Sequence, residues 1–183
     1  QSAKELEQLY PQFTTDLAWE TTKASGVLFK SGLMQALELL GLTDGSIYGE
    51  TYHKLFGWNP RGIVLHSPEY LPVREVLATA KASDGAVVFA HPTVYKSMPL
   101  VRELAAEGAI DGIEGDPPSN SPEDRAECVQ LCREYGLVPT AGTDFHGQNH
   151  RVRHPIGTCT APDETVTRLQ EIARKRGGGN GTR

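Results

Sequence analysis

From about residue 66 onward, short apolar runs alternate with longer amphipathic ones, and this alternation constrains the fold more than any other feature of the sequence. The segment 72–83 repeats its apolar residues at helical spacing, and "GAVVFA" (85–90) reads as an apolar strand. A helix is predicted over 98–108, a strand over 109–115, a helix over 121–136 and a strand over 137–142. The helix start at Ser121 is explicit, with Ser121 as cap, Pro122 at the first helical position and Asp124 at the third. "PIGTCT" (155–160) reads as a further strand and 161–176 as the final helix, before a disordered tail over 177–183. Apolar strands alternating with helices specify an α/β fold with a parallel sheet packed by helices. In such folds the chemistry gathers at the carboxyl ends of the strands.

Residues 1–60 follow a different pattern. "SAKELEQLY" starts as a polar helix, with Ser2 as its cap and Pro11 as its stop. In "SGLMQALELLGLTDG", Leu33, Leu37 and Leu40 recur at helical spacing, and Gly41 stands just past the end. "YGETYHKLFG" reads as another short helix, ended by Gly57. No strand is expected in this part. The chain therefore divides into a helical insertion or cap over 1–60, an α/β part over 61–176 and the tail.

Composition sets outer limits. The chain has 183 residues, 38% hydrophobic and 22% charged, which suits a globular protein with a sizeable core. A net charge of −5 argues against duplex nucleic acid as a partner held by bulk charge. No apolar run approaches the roughly 18 residues that span a bilayer, so no membrane partner is expected. Three cysteines do not suggest a disulfide framework, and Cys128 and Cys132 read as small buried side chains on one helix. A reducing cytoplasm fits this cysteine use. The chain starts at Gln1 and its first methionine is Met34, which reads as the tail of a longer gene.

What stands at the strand ends carries the chemistry. The strand 85–90 runs into His91-Pro92, the strand 109–113 into Glu114, and the strand 137–142 into Thr143-Asp144-Phe145-His146. These are nitrogen and oxygen donors of the kind that Zn²⁺, Mn²⁺ or Fe²⁺ accept. In extended backbone Asp144 and His146 point to one side. Taken singly, a histidine before proline or an Asp-x-His in a loop is more often structural. Their joint appearance on three successive strands favours a metal site built on His91, Asp144 and His146.

"GAVVFAHP", followed by "IDGIEG" and "SNSPEDRAECVQLCREYGLVPTAGTDFHG", resembles the late half of a PHP (polymerase and histidinol phosphatase) domain. "GLMQALELLGLTDGSIYGETYHKLF" is similar to the helical insertion of these metal-dependent phosphoesterases. The resemblance covers roughly residues 25–175. It implies a partial (β/α) barrel of late strands and helices, preceded by the helical subdomain. It also implies two or three divalent transition metals that activate water against phosphorus.

His91, Asp144 and His146 match the family's late ligands, and Glu114 matches an acid at the margin, a candidate for substrate binding. Arg151 lies beside the last motif and reads either as a phosphate-binding arginine or as part of a solvated loop. The family's early H-x-H and S-D-G motifs have no counterpart in residues 1–65. The expectation is the C-terminal part of a phosphoesterase acting on a phosphorylated small molecule, nucleotide or short oligonucleotide, with a missing N-terminal half as partner. A non-catalytic binding module and a metal-dependent amidohydrolase stand as alternatives.

Overall fold

The computed structural model describes residues 1–146 and 154–178. These residues fall into two compact units, residues 1–69 with His146, and residues 70–145 with 154–178.

The first unit is helical: α1 (Ser2–Leu9), α2 (Thr15–Thr21), a 3-10 turn (Lys23–Ser25), α3 (Lys30–Leu39) and α4 (Glu50–Phe56). Its core gathers Leu6, Phe13, Leu33, Met34, Leu37 and Phe56, so the one-sided spacing on α3 is the spacing of a buried face. Gly41 follows the end of α3 at φ 68, as its position in the sequence predicted. The Asp44 carboxylate accepts hydrogen bonds from the Glu50 and Thr51 amides at the start of α4. These backbone donors hold its carboxyl below the ordinary range. A Cβ at Gly49 would lie 2.0 Å from that carboxylate, which explains the glycine. Ser2 does not cap α1; its hydroxyl donates to the Val64 carbonyl.

The second unit carries α5 (Val73–Ala82), β1 (Val88–Phe89), α6 (Met98–Ala106), β2 (Gly112–Glu114), α7 (Pro122–Tyr135), β3 (Val138–Thr140) and α8 (Glu164–Gly177). The sheet is parallel with order β1-β2-β3, Phe89 facing Ile113 and Glu114 facing Thr140. Parallel neighbours need a crossover, which α6 and α7 supply. Val101, Leu104 and Ala105 on α6, and Cys128, Leu131 and Cys132 on α7, bury their i, i+3, i+4 faces against Ile113 and Leu137. Ser121 caps α7 by accepting from the Asp124 amide at 3.1 Å.

Two expectations are corrected. The paired parts of the strands are much shorter than the apolar runs, because only residues with a hydrogen-bonded neighbour join the ladder. Residues 155–160 are not a strand. The Pro155 carbonyl accepts from both the amide and the hydroxyl of Thr158, and Gly157 at φ 85 turns the chain there. No helix among the described residues is long and apolar enough to cross a membrane.

The unit is clamped at the strand starts. Asp111, just before β2, receives Arg176 from α8 at 2.6 and 2.7 Å, and its carboxylate also accepts from the Val87 amide at 2.6 Å. The two side chains keep 12% and 23% exposure, so removing one leaves a largely buried charge unpaired. Arg176→Ala is expected to cost about 2–3 kcal/mol by urea denaturation. Arg102→Ala, which breaks a more exposed pair with Glu127, is expected to cost less than about 1 kcal/mol.

Burial pushes the Cys128 thiol up to about 12 and raises Cys132 as well. Both are therefore protonated at pH 8, and only the thiolate reacts. A disulfide reagent at that pH is expected to modify the half-buried Cys159 in the native protein, and Cys128 and Cys132 only after unfolding.

Candidate functional site

The carboxyl ends of β1 and β2 meet through Glu114. The His91 amide, two residues beyond β1, donates to Glu114 Oε2 at 3.0 Å. On the other flank, a Cβ at Gly142 would lie 2.9 Å from Glu114 Oε1. Glycine there lets the chain leaving β3 pass close to the carboxylate. The acid is thus placed between the exits of both neighbouring strands, as the parallel register requires.

His91 itself is unusual in two ways. Its φ is 27, in the left-handed region that side chains avoid, at a cost of about 1–3 kcal/mol. Its Nδ1 is buried and has no hydrogen-bond partner among the described residues. An orphaned buried nitrogen costs about 1–3 kcal/mol. An imidazole nitrogen is also the donor that divalent transition metals favour. The ring packs at 6.1 Å from that of Tyr95.

Asp144 follows β3 by four residues in the same unit, exposed and at φ 51. Just before it, the buried Thr143 hydroxyl accepts the Gly157 amide at 3.2 Å. His146 is exposed and groups with the first unit, and Arg151 lies outside the described residues. Among the described residues, no group of three or more His, Cys, Asp or Glu side chains is arranged to hold a metal ion. The donors present nevertheless fit such an ion in kind: an unpartnered imidazole nitrogen, and carboxylates at the ends of the neighbouring strands.

Sequence reasoning missed the polar frame of this site. The loop after β2 is fixed by Arg125, which pairs with Asp116 at 2.8 Å and donates to the Pro117 and Asn120 carbonyls. Asp116 is therefore occupied with an ion pair. Thr93 donates its hydroxyl to Asp124 at 2.6 Å, joining the His91 loop to the first turn of α7. The signal that could have exposed this frame was Asn120 directly before the capping Ser121-Pro122. Elsewhere, Lys30 covers the Trp58 ring at 5.5 Å, and His66 pairs with Glu5 at 2.8 Å, which lowers the Glu5 carboxyl. A cavity of 310 Å³ between α7 and strands β2 and β3 is lined by Ile113, Cys128, Cys132 and Pro139, and includes none of the predicted ligands.

No family model matches the chain. A curated protein of Eggerthella lenta, phosphoribosyl 1,2-cyclic phosphate 1,2-diphosphodiesterase, is 34% identical over 137 residues, which is 75% of this chain and 51% of that protein. A crystal structure from Bifidobacterium adolescentis, of a protein assigned as a metal-dependent phosphoesterase, superposes with a TM-score of 0.74. At 22% identity it covers 93% of this chain and 60% of its own, and it shows the fold alone. The chain spans about half the length of the curated relative it matches. In sequence the chain is similar to a curated phosphodiesterase, and in fold to a protein assigned as a metal-dependent phosphoesterase.

Proposed function

We propose that this chain is the C-terminal part of a metal-dependent phosphoesterase that hydrolyses a phosphate ester of a small molecule. A cyclic phosphodiester of a phosphorylated sugar is the first substrate to try, since the relative from Eggerthella lenta is named for one. The observation that carries the reading is the buried, unpartnered Nδ1 of His91, a residue whose backbone amide is held by Glu114 at the strand ends.

In this reading His91, Asp144 and His146 hold Mn²⁺, Zn²⁺ or Fe²⁺, two or three ions in the complete site. When bound, such ions supply Lewis-acid charge and an acidified water. Glu114 fixes the His91 backbone and borders the substrate, and Arg151 takes a phosphate oxygen. The remaining ligands come from an N-terminal half, whose strands complete the (β/α) barrel. Two features support that partner. Val73, Val76 and Val166 are exposed on α5 and α8, and the chain covers only 60% of the solved neighbour.

The test joins this chain to the N-terminal half of the Eggerthella lenta relative and measures hydrolysis of bis(4-nitrophenyl) phosphate with Mn²⁺. Turnover is expected in the joined protein, with a loss of more than about a hundredfold in His91→Ala and Asp144→Ala. Cleavage of 4-nitrophenyl acetate instead would favour the amidohydrolase. A joined protein that takes up metal and cleaves neither ester would leave only a binding module.

A further inference from the structure

Asn120 is one of the buried polar side chains of the described residues, 4% exposed, and its amide is fully used. Nδ2 donates to the Glu114 and Gly115 carbonyls, each at 3.2 Å, and Oδ1 accepts the Thr93 amide at 3.2 Å. Thr93 stands two residues beyond His91, and the Pro92 between them has no N–H to donate. Both amides of the segment 91–93 are thus held from β2 and its loop, His91 by Glu114 and Thr93 by Asn120.

This pinning matters because His91 sits at φ 27. A non-glycine residue keeps such a conformation only where its surroundings over-determine it. We propose that Asn120 is the positioning residue that holds His91 in its strained conformer and so fixes where the imidazole stands. Its bearing on metal rests on reading His91 as a ligand, whereas the strain and the hydrogen bonds do not. Asn120 is itself anchored, since Arg125 donates to its carbonyl at 3.2 Å. Aspartate would not substitute for it. It keeps the acceptor for Thr93 but turns an anionic oxygen toward two carbonyls.

Asn120→Ala and Asn120→Asp are compared with Val101→Ala, which weakens the α6 core without touching the loop. Hydrogen exchange is followed at His91, Thr93 and Ile113, and the imidazole signals are read in ¹⁵N-histidine-labelled protein. In both Asn120 variants, exchange at His91 and Thr93 is expected to accelerate at least about tenfold more than at Ile113, and the His91 imidazole signals move. In Val101→Ala the His91 signals stay in place and exchange shows no preference for the loop. Should Asn120→Asp fail to fold, Asn120→Ser carries the same comparison.

Equal acceleration at Ile113 and Thr93, or an unmoved His91 signal, would overturn the proposal by making Asn120 an ordinary structural residue. Mn²⁺ titration separates the two readings. In the protein joined to the N-terminal half, the Asn120 variants are expected to bind Mn²⁺ about 10- to 100-fold more weakly than the wild-type sequence. A joined wild-type protein that takes up no Mn²⁺, with the exchange and imidazole results as expected, removes the ligand reading of His91 and leaves the positioning role of Asn120 established.

Discussion

The α/β unit depends on one carboxylate. Asp111 takes both guanidinium nitrogens of Arg176 and the Val87 amide on its side chain, while its backbone bonds to Val87 on one flank and to Val138 on the other. Arg176 also donates to the Gly85 carbonyl at the entry to β1. Strands of two and three residues have few ladder hydrogen bonds with which to fix their register. Asp111 does so for three strands and the last helix together. A mostly buried carboxylate tolerates its position only when fully partnered. A slip of any one strand would leave it unpartnered.

Register at the starts decides what emerges at the ends. Glu114 lies three residues past Asp111, about 10 Å along the strand. At Asp111 a guanidinium neutralises the charge; at Glu114 a backbone amide approaches from one side and a glycine from the other. Non-glycine backbone in the left-handed region occurs at the exits, at His91 and Asp144, and also at Asp84 before β1 and at Lys96.

Much of this was legible in the sequence. Val101, Leu104 and Ala105, and Cys128, Leu131 and Cys132, lie at spacings that only a one-sided helix explains, and the cap at Ser121 followed from local chemistry. The motifs at the strand ends pointed to the same relatives that comparison found. Other features depended on partners far along the chain. Arg176 reads as one more cation in a polar helix until Asp111, 65 residues earlier, is seen beside it. Asn120 reads as loop because its burial depends on Thr93, 27 residues away. Helix α2 escaped notice although Thr14 caps it through the Leu17 amide; of its seven residues only Ala18 is buried. The apolar run 85–90 overstated its strand because pairing needs a neighbour, and only two of its residues pair with β2.

At the strand ends two unfavourable terms meet at His91. Strain at His91, about 1–3 kcal/mol, and its orphaned buried nitrogen, about 1–3 kcal/mol more, take a large share of an ordinary stability of about 5–15 kcal/mol. The hydrogen bonds of the His91 and Thr93 amides to Glu114 and Asn120 hold the segment in place at this cost. A ligand that binds only the folded state at a thousand times its dissociation constant returns about 4 kcal/mol, which is of the same size as the deficit. The tension at His91 is comparable in size to such a binding free energy. It stands at the end of the sheet opposite the Asp111 clamp, where it leaves the register intact.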